Sequence, residues 1–358
     1  MRGYIGRLTE DGSKFYVDLN SFLEAHVSIL SKVGRGKSYL AGVLIEELAK
    51  NKVPVLVIDT HGEYRTMIYP NDDRRSELFR RYGIIPKGLP SKVRVYSVNR
   101  PGDLSFTMSD RRLRIRDLEN LYPGKLKDSH KERLSQIIFE AGSRKYKIDD
   151  LINKASESTG PSKFTLLSVL DQIKSLKLFS SRFTKATDLV KKRKITILDI
   201  NLLPRQLQRT IVASVLDMVF TARKAGKIPP FALVIDEAHL YAPEMKSVVS
   251  SEIFKDVTAE GRKFGLATII ITQRPSRISK DVLSQPQVQI YLKVTNPNDV
   301  QAIYRSIENA TPELKDQLKI LKRGQCLISG VDDDKPLKVD IRVRRTRHGG
   351  RSQRFGEE

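Results

Sequence analysis

Short apolar runs alternate with amphipathic stretches along most of this chain. Val53–Asp59 (VPVLVID), Val93–Val98, Ile195–Asp199, Phe231–Asp236 (FALVID), Ala267–Thr272 (ATIIIT) and Val288–Val294 are short runs dominated by apolar residues, most of them without polar alternation. Such runs suit strands buried on both faces of a parallel sheet. Tyr39–Lys50, after the run His26–Leu30, and Pro204–Arg223 read as helices, the second with proline near its start. Strands alternating with helices predict an α/β fold with a mostly parallel sheet.

Two stretches break this pattern. Residues 1–26 read as a short β preface of two strands that turn at Glu10, Asp11 and Gly12. From Asp110 to Val190 apolar residues recur at three and four, with Pro–Gly and Gly–Pro breaks at 123–124 and 160–161. That predicts a helical insertion. Residues 324–344 read as a closing antiparallel pair. The expected organisation is N-terminal strands over 1–26, a first core part over 27–109, the insertion over 110–190, a second core part over 191–345, and a flexible basic tail over 346–358.

Charge narrows the partners. Lys and Arg number 64 against 42 Asp and Glu, a net charge of +22 over 358 residues. That excess suits nucleic acid or an anionic membrane surface, and also plain solubility or surface ion-pair networks. No apolar run reaches the ~20 residues that span a bilayer, and the N-terminus has no apolar signal core. The single cysteine, Cys326, excludes an internal disulfide and a cysteine-based zinc site. A reduced, cytoplasmic setting without a membrane anchor is expected.

The segment Ser31-Lys32-Val33-Gly34-Arg35-Gly36-Lys37-Ser38 follows one strand and opens a helix, the context of a phosphate-binding loop. Amides from Gly34 to Ser38 would cradle a phosphate at a helix N-terminus. Lys37 would carry charge to the β- and γ-phosphates, and the Ser38 hydroxyl would ligand Mg²⁺. Arg35 and Tyr39 join Gly34, Gly36, Lys37 and Ser38 as nucleotide-binding candidates. At the end of a buried strand, Asp236 can hold the Mg²⁺ shell and Glu237 can polarise the attacking water. Gln273, at the tip of the next strand, either reaches the γ-phosphate or caps the strand. Asp59, closing VPVLVID, either touches the attacking-water network or caps a loop. Together these residues point to an ATPase using ATP and Mg²⁺.

The combination GxGKSYLAGVLIEEL, VLVIDTHGEY, LVIDEAH, EGRKFGLATIIITQRPSRIS and TNPND resembles the archaeal HerA translocases of the HerA–FtsK superfamily, from about residue 3 to 345. The resemblance implies a RecA-like core and a homohexameric ring around double-stranded DNA, with ATP at subunit interfaces. It also implies work in DNA repair or end processing and, in HerA itself, partnership with the NurA nuclease. It assigns Arg262 as an arginine supplied across the interface to a neighbour's ATP, where the residue-level alternative is a basic helix end. Lys246, Arg274, Arg277 and Lys280 become candidates for phosphate contacts with DNA. The chain departs from the family pattern GKTGSGKS at Ser31, Val33 and Arg35. It also carries only the 1–26 strands where the family has a barrel of roughly a hundred residues, which reads as a shortened relative and bears on a NurA-like partner. Two other readings stay open: a nucleotide-binding structural ring with weak turnover, and a coupling ATPase for conjugation or export.

Overall fold

The computed structural model describes residues 1–32, 34–110, 115–121, 126–140, 146–160, 162–305, 312–331 and 336–350. Val33 and residues 351–358 of the basic tail lie outside them. The strands are β1 (Arg2–Leu8), β2 (Lys14–Asp18), β3 (Val27–Leu30), β4 (Val55–Asp59), β5 (Val93–Ser97), β6 (Leu104–Ser105) and β7 (Met108–Ser109). They continue as β8 (Phe179–Ser180), β9 (Ile195–Asp199), β10 (Phe231–Ile235), β11 (Leu266–Thr272), β12 (Val288–Tyr291), β13 (Gln325–Ser329) and β14 (Leu337–Ile341). The helices are α1 (Leu19–Glu24), α2 (Lys37–Lys50), α3 (Ser76–Tyr82), α4 (Ile115–Leu121), α5 (Asp128–Glu140), α6 (Ile148–Glu157) and α7 (Ser162–Ser175). After them come α8 (Ala186–Leu189), α9 (Arg205–Lys224), α10 (Ser251–Glu260), α11 (Lys280–Leu283), α12 (Pro297–Arg305) and α13 (Pro312–Ile320).

Among the described residues, twelve strands form one sheet in the order β2-β1-β14-β13-β12-β3-β11-β10-β4-β9-β5-β6. Every neighbouring pair from β12 to β6 is parallel, as the uninterrupted apolar runs predict. The four strands at the other end pair antiparallel. The 1–26 strands are thus part of the main sheet: β1 pairs with β14, Gly6 opposite Ile341.

Alternate strand residues feed two cores. Val55, Val57, Val234, Ile269 and Ile271 pack with Leu40, Val43, Leu44 and Leu48 of α2 on one face. Leu56, Ile58, Leu233, Ile235 and Ile270 face α9, α10 and the helices of the 110–190 region on the other. A sheet covered on both sides leaves its strand ends as the accessible backbone, and in parallel sheets ligands bind beyond the carboxyl ends. No helix among the described residues is long and apolar enough to cross a membrane.

The arginine-rich C-terminal stretch begins inside the protein. Arg342 and Arg344 are fully buried, and Thr346 with them. Arg342 donates to Glu46 Oε2 and to Glu47 Oε1, each at 2.9 Å. Glu46 also accepts the amides of Arg345 and Thr346 and the Thr346 hydroxyl. Two adjacent carboxylates on α2 therefore hold the 342–346 segment against the helix that starts at Lys37. Burying a charge is tolerable when it is paired and hydrogen-bonded, as Arg342 is; Arg344 donates to Thr346 Oγ1 and lies 3.8 Å from Glu46 Oε1.

Candidate functional site

The loop between β3 and α2 is built by two glycines in left-handed geometry, Gly34 at φ +72° and Gly36 at φ +96°. Any side chain would be strained at either position. Gly36 serves as the N-cap of α2, so the first amides of the helix face the loop. That is an anion-binding concavity at the positive end of a helix dipole. Ser31, where the family pattern has glycine, is fully buried and does not adopt positive φ. Its amide donates to Thr272 O and its hydroxyl to Lys32 O, so the loop accommodates serine there. Ser38 lies in the first turn of α2 and is 5% exposed. Arg35 is half-buried at the loop's tip.

The carboxyl ends of β10 and β11 close the other side. Lys37 Nζ lies 2.7 Å from Glu237 Oε1 and 3.9 Å from Asp236 Oδ1. Glu237 occupies φ +52°, ψ +44°, a left-handed conformation rare for a residue with a side chain. Strain of this kind is held by surrounding structure and concentrates at functional sites. Burial works to raise the Glu237 carboxyl, but His61 and Lys37 outweigh it and hold the group down to about 2. Asp236 goes the other way: burial pushes it up to about 6 against the pull of Lys37. Burial opposes the charge on Lys37, and Asp236 with Glu237 more than restores it. The strand end therefore presents an ionised glutamate beside a more basic aspartate.

The residues present fit a magnesium–nucleotide. Asp236 Oδ2 and Glu237 Oε2 are buried without a hydrogen-bond partner among the described residues. Buried carboxylate oxygens require a partner, and a hard cation with its water ligands supplies one. Ser38 and Asp236 would be the donors that hold it, and Lys37 with the amides of the loop would face the phosphates.

Other candidates fall elsewhere. Asp59 is fully buried and spent on its own loop: Oδ1 accepts the amides of Gly62 and Glu63, and Oδ2 that of Tyr64. Burial pushes it to about 7 despite these donors. Tyr39 turns toward the C-terminal segment, where its hydroxyl accepts the Arg344 amide and its ring meets His348 edge-on at 5.4 Å. Gln273 lines a cavity of about 190 Å³ with Lys32, Arg274, Val294, Thr295, Asn296 and Asp299, beside the loop. Arg262 is exposed in a short turn that precedes β11, whereas Gln273 follows β11. Seven strand residues separate them, ~23 Å, so Arg262 lies at the opposite edge of the sheet from its own chain's loop. Lys246 and Arg277 are exposed, and Lys280 pairs with Glu244 at 3.1 Å.

Two histidines escaped the reading of the sequence. His61 Nε2 is 3.7 Å from Glu237 Oε1. His239 Nδ1 is hydrogen-bonded to Thr272 Oγ1 at 3.0 Å, which places the ring 3.3 Å from Glu237 Oε2 without a hydrogen bond to it. Burial pushes His239 down to about 4, so it is neutral at ordinary pH. Only His239 had a local signal, its place two residues beyond Glu237.

The same architecture occurs in solved proteins. VirB4 of Thermoanaerobacter pseudethanolicus superposes with a TM-score of 0.66 at 18% identity, over 95% of this chain and 96% of that one. The plasmid coupling protein TrwB, solved with ADP and Mg²⁺, gives 0.58 at 13% identity, over 95% and 90%. In sequence, the probable helicase MJ1565 of Methanocaldococcus jannaschii is 27% identical over 97% of this chain and 68% of its own length. The DNA double-strand break repair helicase HerA of Sulfolobus acidocaldarius is 26% identical, over 91% and 66%. The chain thus spans about two thirds of the length of these curated relatives. Residues 3–219 match the family model described as helicase HerA, central domain, and on that match the chain belongs to the HerA family.

Proposed function

We propose that this chain is an ATP-driven translocase on double-stranded DNA, assembled as a homohexameric ring and serving DNA repair or end processing. The observation that carries the reading is the convergence of Lys37, Asp236 and Glu237 on one loop, with Asp236 Oδ2 and Glu237 Oε2 lacking a hydrogen-bond partner among the described residues. The naming of relatives as repair helicases and the net charge of +22 support DNA as the polyanion.

In this mechanism the loop amides and Lys37 hold the β- and γ-phosphates, while Ser38 and Asp236 hold the metal. When bound, Mg²⁺ neutralises phosphate charge and orients the leaving group. Glu237, ionised and restrained in its strained backbone, takes the proton of the attacking water. Arg262 cannot reach its own loop across the length of β11, so it serves the ATP of the next subunit. Gln273 senses the γ-phosphate and passes its presence to the 274–280 segment. That segment and the 242–250 loop are joined by the Pro243–Ile278 bridge and the Glu244–Lys280 pair, so their basic residues move together on the DNA. A NurA-like nuclease remains a candidate partner for end processing.

The test is ATPase rate with and without linear duplex DNA, alongside mass in solution. DNA-stimulated turnover by a six-subunit particle supports the reading. Nucleotide binding without turnover would favour a structural ring. The fold shared with VirB4 and TrwB keeps a coupling ATPase as the second reading, favoured if single-stranded DNA or no DNA stimulates equally.

A further inference from the structure

Glu237 faces a conflict that its own geometry exposes. Its closest partner is Lys37, at 2.7 Å from Oε1. That lysine belongs to the phosphate loop, and phosphates in the loop would compete for its charge. A carboxylate 1% exposed then loses its strongest partner at the moment it must aim a water. An unpaired buried charge swings, or takes up a proton. Either would remove the base.

Among the described residues, one other side chain approaches the same oxygen. His61 Nε2 stands 3.7 Å from Oε1, about 1 Å too far for a good hydrogen bond. Its side chain is half-exposed and free to close that distance. Its backbone is not free. Residues 60–64 are wired from below by Asp59, whose two oxygens accept three successive amides. Thr60 donates its hydroxyl to Asp236 O, fixing the loop to the strand that carries Glu237. Gly62, at φ +73°, lies so close to Asn201 that a Cβ there would be 2.4 Å from its side-chain amide. The loop is a rigid mount for one imidazole.

We propose that His61 is a positioning residue that takes Glu237 Oε1 over from Lys37 when phosphates bind, and that Asp59 acts through it. The inference rests on the reading of the site as an ATPase and adds a group that the P-loop and the strand-end carboxylates do not include. Lys37 Nζ holds Glu237 Oε1 at 2.7 Å. With phosphates bound, His61 on Oε1 and His239 beside Oε2 keep the carboxylate aimed. The neighbouring Glu237 carboxylate also raises the basicity of His61, in keeping with a ring drawn toward it.

The experiment compares His61→Ala and His61→Gln in the full chain, reading kcat and the dissociation constant for ATP separately, each alone and with Glu237→Gln. Loss of aim costs ~10- to 100-fold in rate. His61→Ala is expected to lose that much in kcat with ATP affinity within about twofold of wild type. His61→Gln, which carries a donor of similar reach, is expected to recover most of the loss. With Glu237→Gln the alanine should change nothing further, because the partner is gone. Wild-type turnover in His61→Ala overturns the proposal, as does failure of glutamine to rescue. Affinity falling in step with kcat also overturns it, since His61 would then be an ordinary nucleotide ligand. A wild-type chain that binds no ATP removes the site itself, and that is read before any variant is compared.

Discussion

Gly42 lies directly beneath the guanidinium of Arg344: a Cβ at Gly42 would stand 2.4 Å from Arg344 Cζ. Alanine is the better helix former by about 1 kcal/mol, and on an exposed helix Gly42→Ala would stabilise. Here the guanidinium is fully buried and donates to Thr346 Oγ1, so it has nowhere to go. Overpacking of this kind costs ~1–3 kcal/mol and should outweigh the gain. Thermal unfolding should show a lower melting temperature for Gly42→Ala. A raised one would mean the guanidinium moves at no cost.

Lys37→Ala removes both the phosphate partner and the counter-charge of Glu237. Turnover should be abolished, and stability should fall by ~1–3 kcal/mol because a buried carboxylate loses its best partner. Turnover near wild type would end the assignment of the loop.

Glu237→Gln should separate binding from chemistry. The amide keeps the shape, and ATP should bind while turnover falls ~100-fold or more. If binding disappears together with turnover, Glu237 is structural.

Arg262, at the far edge of the sheet, should act on a neighbouring subunit. Rings of Arg262→Ala and rings of Glu237→Gln should each be nearly inactive. Mixed rings should recover part of the rate, since some interfaces then pair an intact loop with an intact arginine. ATPase rate against mixing ratio should pass through a maximum. A straight line between the parents, with exchange shown independently, means that Arg262 serves its own subunit or none.

Acid should destabilise the fold through two histidines. Burial pushes His26 and His239 from 6.5 down to about 4. The unfolded chain therefore takes up protons below pH 6.5 that the folded chain refuses until about pH 4, and stability falls through that window. Each contributes about 2 kcal/mol of loss by pH 5. His26→Asn keeps an acceptor for the Thr268 amide and tolerates the φ of +50° at this position. Its denaturant midpoint should fall less than that of wild type between pH 7 and pH 5. An identical fall would show that His26 is not the titrating group.

Local pattern made the parallel strands legible, and with them the glycine loop that opens α2 and the placing of Asp236 and Glu237 just past β10, because each is written in consecutive residues. What escaped depends on pairs far apart in the chain. The sequence of α2 shows Glu46 and Glu47 in an otherwise apolar helix, but not that Arg342 would meet both. Asp59 closes its strand as expected, and three amides next in sequence claim it before any nucleotide can. His61 reaches Glu237 across 176 positions, and no spacing announces that. The 1–26 strands looked separate because their partner, β14, lies more than 300 residues later.

The bond between α2 and the 342–346 segment also sets a clock. A nascent chain completes α2 early, yet Glu46 and Glu47 face no guanidinium until residue 346 has emerged. Glu47 has the Tyr4 amide from the start, but the hydrogen bonds of the Glu46 side chain come from residues 342–346, so a buried carboxylate on α2 waits on the ribosome for its partners. At ~5–20 residues per second, some 300 further residues take roughly 15–60 s. Throughout that interval the loop is complete in sequence while the helix behind it lacks the partners of Glu46.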